Sequence, residues 1–418
     1  MKKLLFILVL LCVSMLYAFS TASSIPFAGS YMQRATGVDA IYWNPANLSN
    51  LPTRAEMTIL PISYKVYNNA LSIDLYNEMM VDTLSQDLKD KFLSEMNGNL
   101  NINMEMNTIL FGYATRSFGL SFGTFVNTYA KLDEHYLDLI LNGNEYERDY
   151  FFTKSNNDAS FLAMQDITVA FGGYELNKAL PDVMNFLPST RYGFAISFLS
   201  GASGNVDKFD GLFKASDDGL NLDQQVTLHY GGGFGYKGML GISSDLISTK
   251  NQTLSAGLTL DNLFGTFNNS ISCQAHEANV TAQNVYIAHL NEDFFAEQDT
   301  SYSIASFSTD LPVKFSGGLL YKNGNISASL DFSKYSKESA FGSDLADTSV
   351  GIEYELLGFI PLQGGYLFGN DSHPSVTAFG VGLRYKYWDG GLGIQFYDSI
   401  SGQRSKGLSF SAQMAFRY

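Results

Sequence analysis

The side chains with the plainest capacity for chemistry in this sequence are five histidines, His135, His229, His276, His289 and His373, and the thiol of Cys273. A hydrolase needs a nucleophile held against a base, and a zinc protease needs ligands at a spacing such as two histidines four residues apart on a helix. His276 and Glu277 are adjacent, but no second ligand follows at helical spacing, and the other histidines are isolated. The expectation is therefore no catalytic residue, no metal, no cofactor and no enzyme. Gly231-Gly232-Gly233-Phe234-Gly235 is glycine-rich but lies inside a strand pattern, where glycines let a barrel bend or leave room in its interior. What remains is Asp39-Ala40 followed by Trp43-Asn44-Pro45-Ala46. Proline lacks an amide donor and asparagine can satisfy neighbouring backbone groups, so such a segment can turn in a confined space without joining a sheet.

The elements that position these residues begin with an export signal. Met1-Lys2-Lys3 precedes an apolar stretch from Leu4 to Leu16 and then small residues up to Ala22, the three-part layout of a secretory signal peptide. Cleavage is expected after Ala22. Leu11 before Cys12 is not the small residue of a lipoprotein signal, so Cys273 is expected to be the one thiol of the mature chain, unable to form an intramolecular disulfide. No second apolar run of about 18 residues follows, which excludes a helical membrane span but not a barrel. The mean hydropathy is −0.02, as expected of alternating strands. Charged residues make up 16% and aromatics 14%, against roughly 25% charged in soluble domains. The net charge of −15 argues against nucleic acid as a partner, because phosphate binding needs clustered Lys and Arg.

A two-residue period is clearest at the end of the chain. Leu408, Phe410, Ala412, Met414, Phe416 and Tyr418 alternate with Ser409, Ser411, Gln413 and Arg417, long enough for a tilted strand to cross a bilayer. The same pattern runs through Leu100–Met106, Phe118–Val126, Tyr192–Phe198, Ile326–Phe332 and Phe379–Tyr387. Apolar positions are predicted to face lipid, Phe118, Phe122, Phe379, Leu383, Phe410 and Phe416 among them. Gly119, Gly380, Ser409 and Gln413 are predicted to face the lumen. Backbone groups in hydrocarbon must be paired internally, so the sheet must close. Fifteen segments read as strands, and even parity reduces them to fourteen, within a range of 12–16. The segment 239–249 is the weakest, and 204–213 would add a strand if it paired. Lys322-Asn323-Gly324-Asn325 and Asp389-Gly390-Gly391 read as tight hairpin turns.

The domain plan is a signal peptide 1–22, an N-terminal hatch or plug segment 23–53 and an all-β transmembrane barrel 54–418. Val81, Leu84, Leu88, Phe92 and Met96 recur at helical spacing, which places a helical insertion at about 74–96. Further helical patches are read at Leu132–Leu141 and around Ala179–Phe186. The polar, poorly periodic stretch at about 268–311 reads as one long loop.

Asp39-Ala40 with Trp43-Asn44-Pro45-Ala46 resembles the amino-terminal hatch of the FadL-like long-chain fatty-acid transporter superfamily. Leu139-Ile140-Leu141-Asn142-Gly143-Asn144 and the Lys91-Phe92-Leu93 helix resemble an uncharacterised branch of it, and Leu258–Gly265 resembles a strand of the PorV-type proteins of type IX secretion. The resemblance implies a fourteen-stranded barrel of the bacterial outer membrane, with Trp43, Asn44, Pro45 and Ala46 in a plug. It also implies passive passage of hydrophobic or amphipathic small molecules. The alternative is a non-transporting surface or assembly protein that holds secreted partners. Membrane lipid is an expected partner. The strand ending at Tyr418 resembles the signal read by the outer-membrane assembly machinery, a second partner. An apolar lumen would favour transport, and a polar one the alternative.

Overall fold

The computed structural model describes residues 21–418 except 81–83, 146–147, 180–188, 218, 286–294, 338–344 and 371–372. Fourteen antiparallel strands form one closed barrel. They are β1 (Ala55–Thr58 and Ile62–Asn68), β2 (Asn99–Thr115), β3 (Phe118–Asp133), β4 (Asp149–Thr153 and Asp158–Glu175), β5 (Thr190–Ser216), β6 (Gly219–Ser248) and β7 (Gln252–Val285). The others are β8 (Phe295–Ser303, Phe307–Asp310 and Lys314–Asn323), β9 (Ile326–Tyr335), β10 (Asp347–Leu356), β11 (Ile360–Phe368), β12 (Val376–Tyr385), β13 (Trp388–Tyr397) and β14 (Gly407–Arg417). Each pairs with its sequence neighbours, and β14 closes on β1 through Glu56↔Arg417 and Tyr64↔Phe410. Among the described residues no helix is long and apolar enough to cross a membrane.

The predicted facing follows the pleat. Phe379, Leu383 and Phe410 are 45%, 39% and 46% exposed on the outside, and Phe118, Phe122 and Phe416 are partly exposed. A Cβ added to Gly119 would meet Ile41, and one added to Gly380 would meet Pro26, both inside the barrel. Gln413 accepts a hydrogen bond there from Ser23. One face of each strand thus meets lipid and the other meets the segment that fills the lumen.

Three readings of the wall are corrected. The segments 225–236 and 239–249 are one strand, β6. Their alternation breaks because register shifts fall on both sides of Gly238, opposite Asn262 and Phe264, which have positive φ. The Phe264 ring lies over Gly238 where a Cβ would stand, so the glycine accommodates a bulge. Residues 204–213 extend β5 and add no strand. The stretch 268–311 is largely strand over its described residues: β7 runs on to Val285, and Phe295–Ser303 and Phe307–Asp310 pair back onto it. A fourth correction is a turn. Gly324 turns a two-residue hairpin as expected, with Asn323 opposite Ile326, but the other turn lies at Lys386-Tyr387 rather than Asp389–Gly391. Lys386 takes φ 50° there, while Gly390 leaves space for the Trp388 ring.

The wall is uneven in height. β5, β6 and β7 hold 27, 30 and 34 residues, whereas β9 to β14 hold 9 to 11. About ten residues suffice to cross a bilayer at a tilt, so the long strands rise well beyond it at the end opposite Ala55 and Tyr418. Lipid no longer meets the outer face there, which removes the demand for apolar residues on that face.

Helices cap the same end. α1 (Ile73–Met79) and α2 (Gln86–Met96) start at Ser72 and Ser85, whose hydroxyls accept the Leu75 and Leu88 amides. α2 buries Phe92 and Met96 against Leu100 of β2 and Leu137 of α3 (Glu134–Asn142). Val81 and most of the Ala179–Phe186 patch lie outside the described residues; Leu176–Ala179 forms a short helix. Thr21 and Ala22, expected to leave with the signal, are seated in the barrel, where the Trp43 indole donates to Thr21 Oγ1 at 3.0 Å. Because only the outer face meets lipid, Phe410→Arg is expected to cost about 2–4 kcal/mol near the bilayer midplane. Reversible unfolding in lipid vesicles would show it, and an unchanged midpoint would refute the outward assignment.

Candidate functional site

The described residues 21–52 lie inside the barrel and contribute nothing to the sheet. Two short 3-10 turns, Ala22–Phe27 and Pro45–Asn50, flank a single helical turn, Ala40–Trp43. Asn44 is extended, with φ −161° and ψ 100°, and its Oδ1 accepts the Ala46 amide at 3.1 Å while Pro45 opens the second turn. Proline is suited to that first position because its fixed φ fits and its missing N–H leaves no donor unpaired. The Asn44 Nδ2 donates to the Ile242 carbonyl of β6 at 3.1 Å and to Gln33 Oε1 at 3.3 Å. One side chain therefore both caps the turn and ties it to the wall.

The wall meets this turn with glycines. A Cβ on Gly172 of β4 would lie 1.9 Å from the Pro45 oxygen, one on Gly193 of β5 2.5 Å from the Pro45 carbonyl carbon, and one on Gly241 of β6 2.1 Å from Asn44 Oδ1. Three neighbouring strands thus form a cradle that only glycine permits. Asn44, Pro45 and Ala46 sit in it, fully buried. Trp43 is not with them. It is partly exposed, with Tyr31 edge-on at 5.7 Å, and faces the other way.

Polar contacts fix the plug around the wall. Tyr42 donates to Asp166 at 3.0 Å and accepts from Ser121 at 2.7 Å. The Met32 amide donates to Asp331 at 2.7 Å, and Arg34 donates to Ser327 and Ser329 at 2.7 and 2.8 Å. Glu56 of β1 accepts the Val38 amide at 3.0 Å through one oxygen and Arg417 at 2.6 Å through the other. Arg417 also holds Asp389 at 2.6 Å, and Arg384 forks onto Glu353 at 2.8 and 2.9 Å. This charge ladder was not legible in the sequence, because alternation marks which residues face inward and not which will meet.

Asp39, at the start of the Ala40–Trp43 turn, accepts from the Tyr31 hydroxyl at 2.8 Å, and no Lys or Arg pairs with it among the described residues. Loss of water inside the barrel raises its carboxyl to about 6; hydrogen bonds from Ser23 and Tyr31 oppose the shift, and nearby Glu56 adds to it.

Above the plug, towards the helical end, is a chamber of about 1280 Å³ with Trp43 in its lining. Asn99, Asn101 and Asn103 face it from β2, and Ser316, Ser333 and Ser349 from β8, β9 and β10. The lining is thus mixed, about half polar and half apolar. Lys65 pairs with Glu105 at 2.6 Å, and Lys314 lies 5.9 Å from the Trp43 ring centre and 5.4 Å from that of Tyr335. The described residues assemble no group of three or more metal ligands. His373 packs against Tyr67 and Tyr397. His276 lies between Ser301 and Asp299 at 3.0 and 3.1 Å on exposed strands, and His289 lies outside the described residues.

No protein-family model matches the chain, and no curated protein matches it. Among solved structures it is similar to the Ralstonia pickettii toluene transporter TbuX, at 11% identity and TM-score 0.50, covering 96% of this chain and 99% of that one. It is also similar to the Pseudomonas putida toluene transporter TodX, at 12% identity and TM-score 0.51, covering 96% and 98%. A deltaS2S3 mutant of TodX, described as a monoaromatic hydrocarbon channel, gives 13% and 0.52 over 96% and 97%. At such identity the likeness is one of fold, and it extends over the whole of both chains. The chain therefore shares the fold of these barrels, here a closed fourteen-stranded barrel with its described amino-terminal segment folded inside.

Proposed function

We propose that this chain is an outer-membrane barrel that passes small amphipathic or hydrophobic molecules passively, with the segment carrying Trp43, Asn44, Pro45 and Ala46 as its gate. The observation that carries the reading is the attachment of the plug. It closes the lumen beneath an open chamber, yet it is held by side-chain hydrogen bonds and close packing on Gly172, Gly193 and Gly241 rather than by strand pairing. Contacts of that kind can be exchanged without disturbing the wall. Similarity to the toluene transporters supports the same reading. The carboxy terminus and the plug motif lie at the end with short turns, which is the periplasmic end in this proposal. The assembly machinery would read the strand that ends at Tyr418, and signal removal would precede Thr21, because Thr21 is part of the plug.

A second reading, a surface or assembly protein of the PorV type, is favoured by the asparagines and serines of the chamber lining and by the tall wall of β5 to β8. Replacing Asn44 and Pro45 together by alanine separates the two. It removes the Ile242 tie and frees the turn, and under the transport reading it changes hydrophobic solute uptake into reconstituted vesicles about tenfold with the barrel intact. Equal uptake by a correctly folded double variant would favour the assembly role.

The pH dependence arises from Asp39. Its carboxyl is raised in the docked plug, so docking is most favourable below the usual carboxylate pKa near 4 and weakens as pH rises through about 6. Open probability in planar bilayers should accordingly rise between pH 4 and pH 7. Asp39→Asn should flatten that slope and hold the gate shut, and a profile unaltered by this change would discount Asp39.

A further inference from the structure

The chamber above the plug is built for a ligand unlike the hydrocarbons of the structural neighbours. A hydrocarbon asks its site for no hydrogen bonds, and a carboxylate asks for donors only, whereas a hydroxyl group both donates and accepts. Side-chain amides match hydroxyls because each offers a donor and an acceptor. β2 presents three of them, Asn99, Asn101 and Asn103, at alternate positions on one wall, about 6.8 Å apart for a two-residue step. The Asn99 Oδ1 is buried without a partner.

The charges in the lining point the same way. Lys65 is consumed by Glu105 at 2.6 Å, and Lys131 donates to the Ser155 carbonyl at 3.0 Å. Glu95 and Asp398 share Lys406 at 2.8 and 3.4 Å. Lys314 is placed over aromatic rings at the floor and adds a positive potential to Asp331. The lining holds six carboxylates, Glu95, Glu105, Asp158, Asp331, Asp347 and Asp398, against four lysines, Lys65, Lys131, Lys154 and Lys314, so an anionic head gains little. Trp43 and Tyr335 also line the chamber, where a sugar ring can pack against them beside Lys314.

We propose that the chamber binds a neutral polyhydroxylated ligand, either a free saccharide or the sugar head of an amphiphile. This deepens the transport reading by naming the class of molecule that enters above the gate, and rests on it only for passage of the bound ligand through the barrel.

The chain has two tryptophans, Trp43 and Trp388, so Trp388→Phe leaves Trp43 as the sole reporter at the chamber floor. The folded variant, purified in an amine-oxide detergent, is titrated with maltose, octyl glucoside, decanoate and toluene while Trp43 emission is followed. A saturable response to maltose and octyl glucoside, weakened at least tenfold by Asn101→Leu with Asn103→Leu, is expected for a saccharide. A response to octyl glucoside alone, weakened in the same way, identifies the sugar head of an amphiphile. Heat-modifiable migration on gels checks folding, and Asn103→Ala replaces the double variant if that fails to assemble. The proposal is overturned by a response to decanoate or toluene without either sugar. It is equally overturned by an octyl glucoside response indifferent to the asparagines, or by no response in a folded barrel. Solute flux through the Asn44 and Pro45 variant is measured separately, so sugar binding without altered flux would remove the transport reading and leave this inference standing.

Discussion

Hydrocarbon offers no partner to a backbone amide or carbonyl, and this constraint organises the whole molecule. It forces the sheet to close on itself, which Glu56↔Arg417 and Tyr64↔Phe410 accomplish between the last strand and the first. Closure with a two-residue period then sends every second side chain inward. Fourteen strands enclose more space than those side chains can fill, and residues 21–52 occupy it. The glycines at 172, 193 and 241 follow from that in turn, since they let a backbone turn approach a wall that would otherwise present side chains.

The plug shows how polar groups are managed away from both water and lipid. Its amides and hydroxyls are satisfied by wall residues of opposite capacity, Val38 by Glu56, Met32 by Asp331 and Tyr42 by Asp166. Paired charges along the wall, Glu353 with Arg384 and Asp389 with Arg417, meet the same requirement. A buried charge left alone would be costly, and a buried charge that is paired and hydrogen-bonded is tolerated. The interior is therefore cohesive without being apolar, and this makes it dockable from above by a molecule with hydroxyl groups.

Much of the wall was legible because lipid imposes alternation, as in Leu408–Tyr418 and Phe379–Leu383. Legibility ended where lipid ended. Above the membrane β7 continues through Cys273 and His276 with no lipid on its outer face, so its residues read as loop. Within the membrane the break at Gly238 reflects a bulge whose other half, Asn262 and Phe264, lies more than twenty residues away. The Asn44-Pro45 turn was readable because its conformation is set locally by proline and by an asparagine cap. Its glycine cradle was not, because Gly172, Gly193 and Gly241 acquire that role only when three strands are side by side. Asn101 and Asn103 were recognisable as a polar face, while the chamber they line depends on closure.

Glu56 stands on the first strand, accepts Arg417 from the last, and accepts the Val38 amide of the plug. Its two oxygens therefore join the seam of the barrel to the segment inside it, across 361 positions of sequence. Contacts of such separation form late, after nearer strand pairs have reduced the loop that must be closed. Closure of the barrel and seating of the segment inside it are in this way coupled through a single carboxylate.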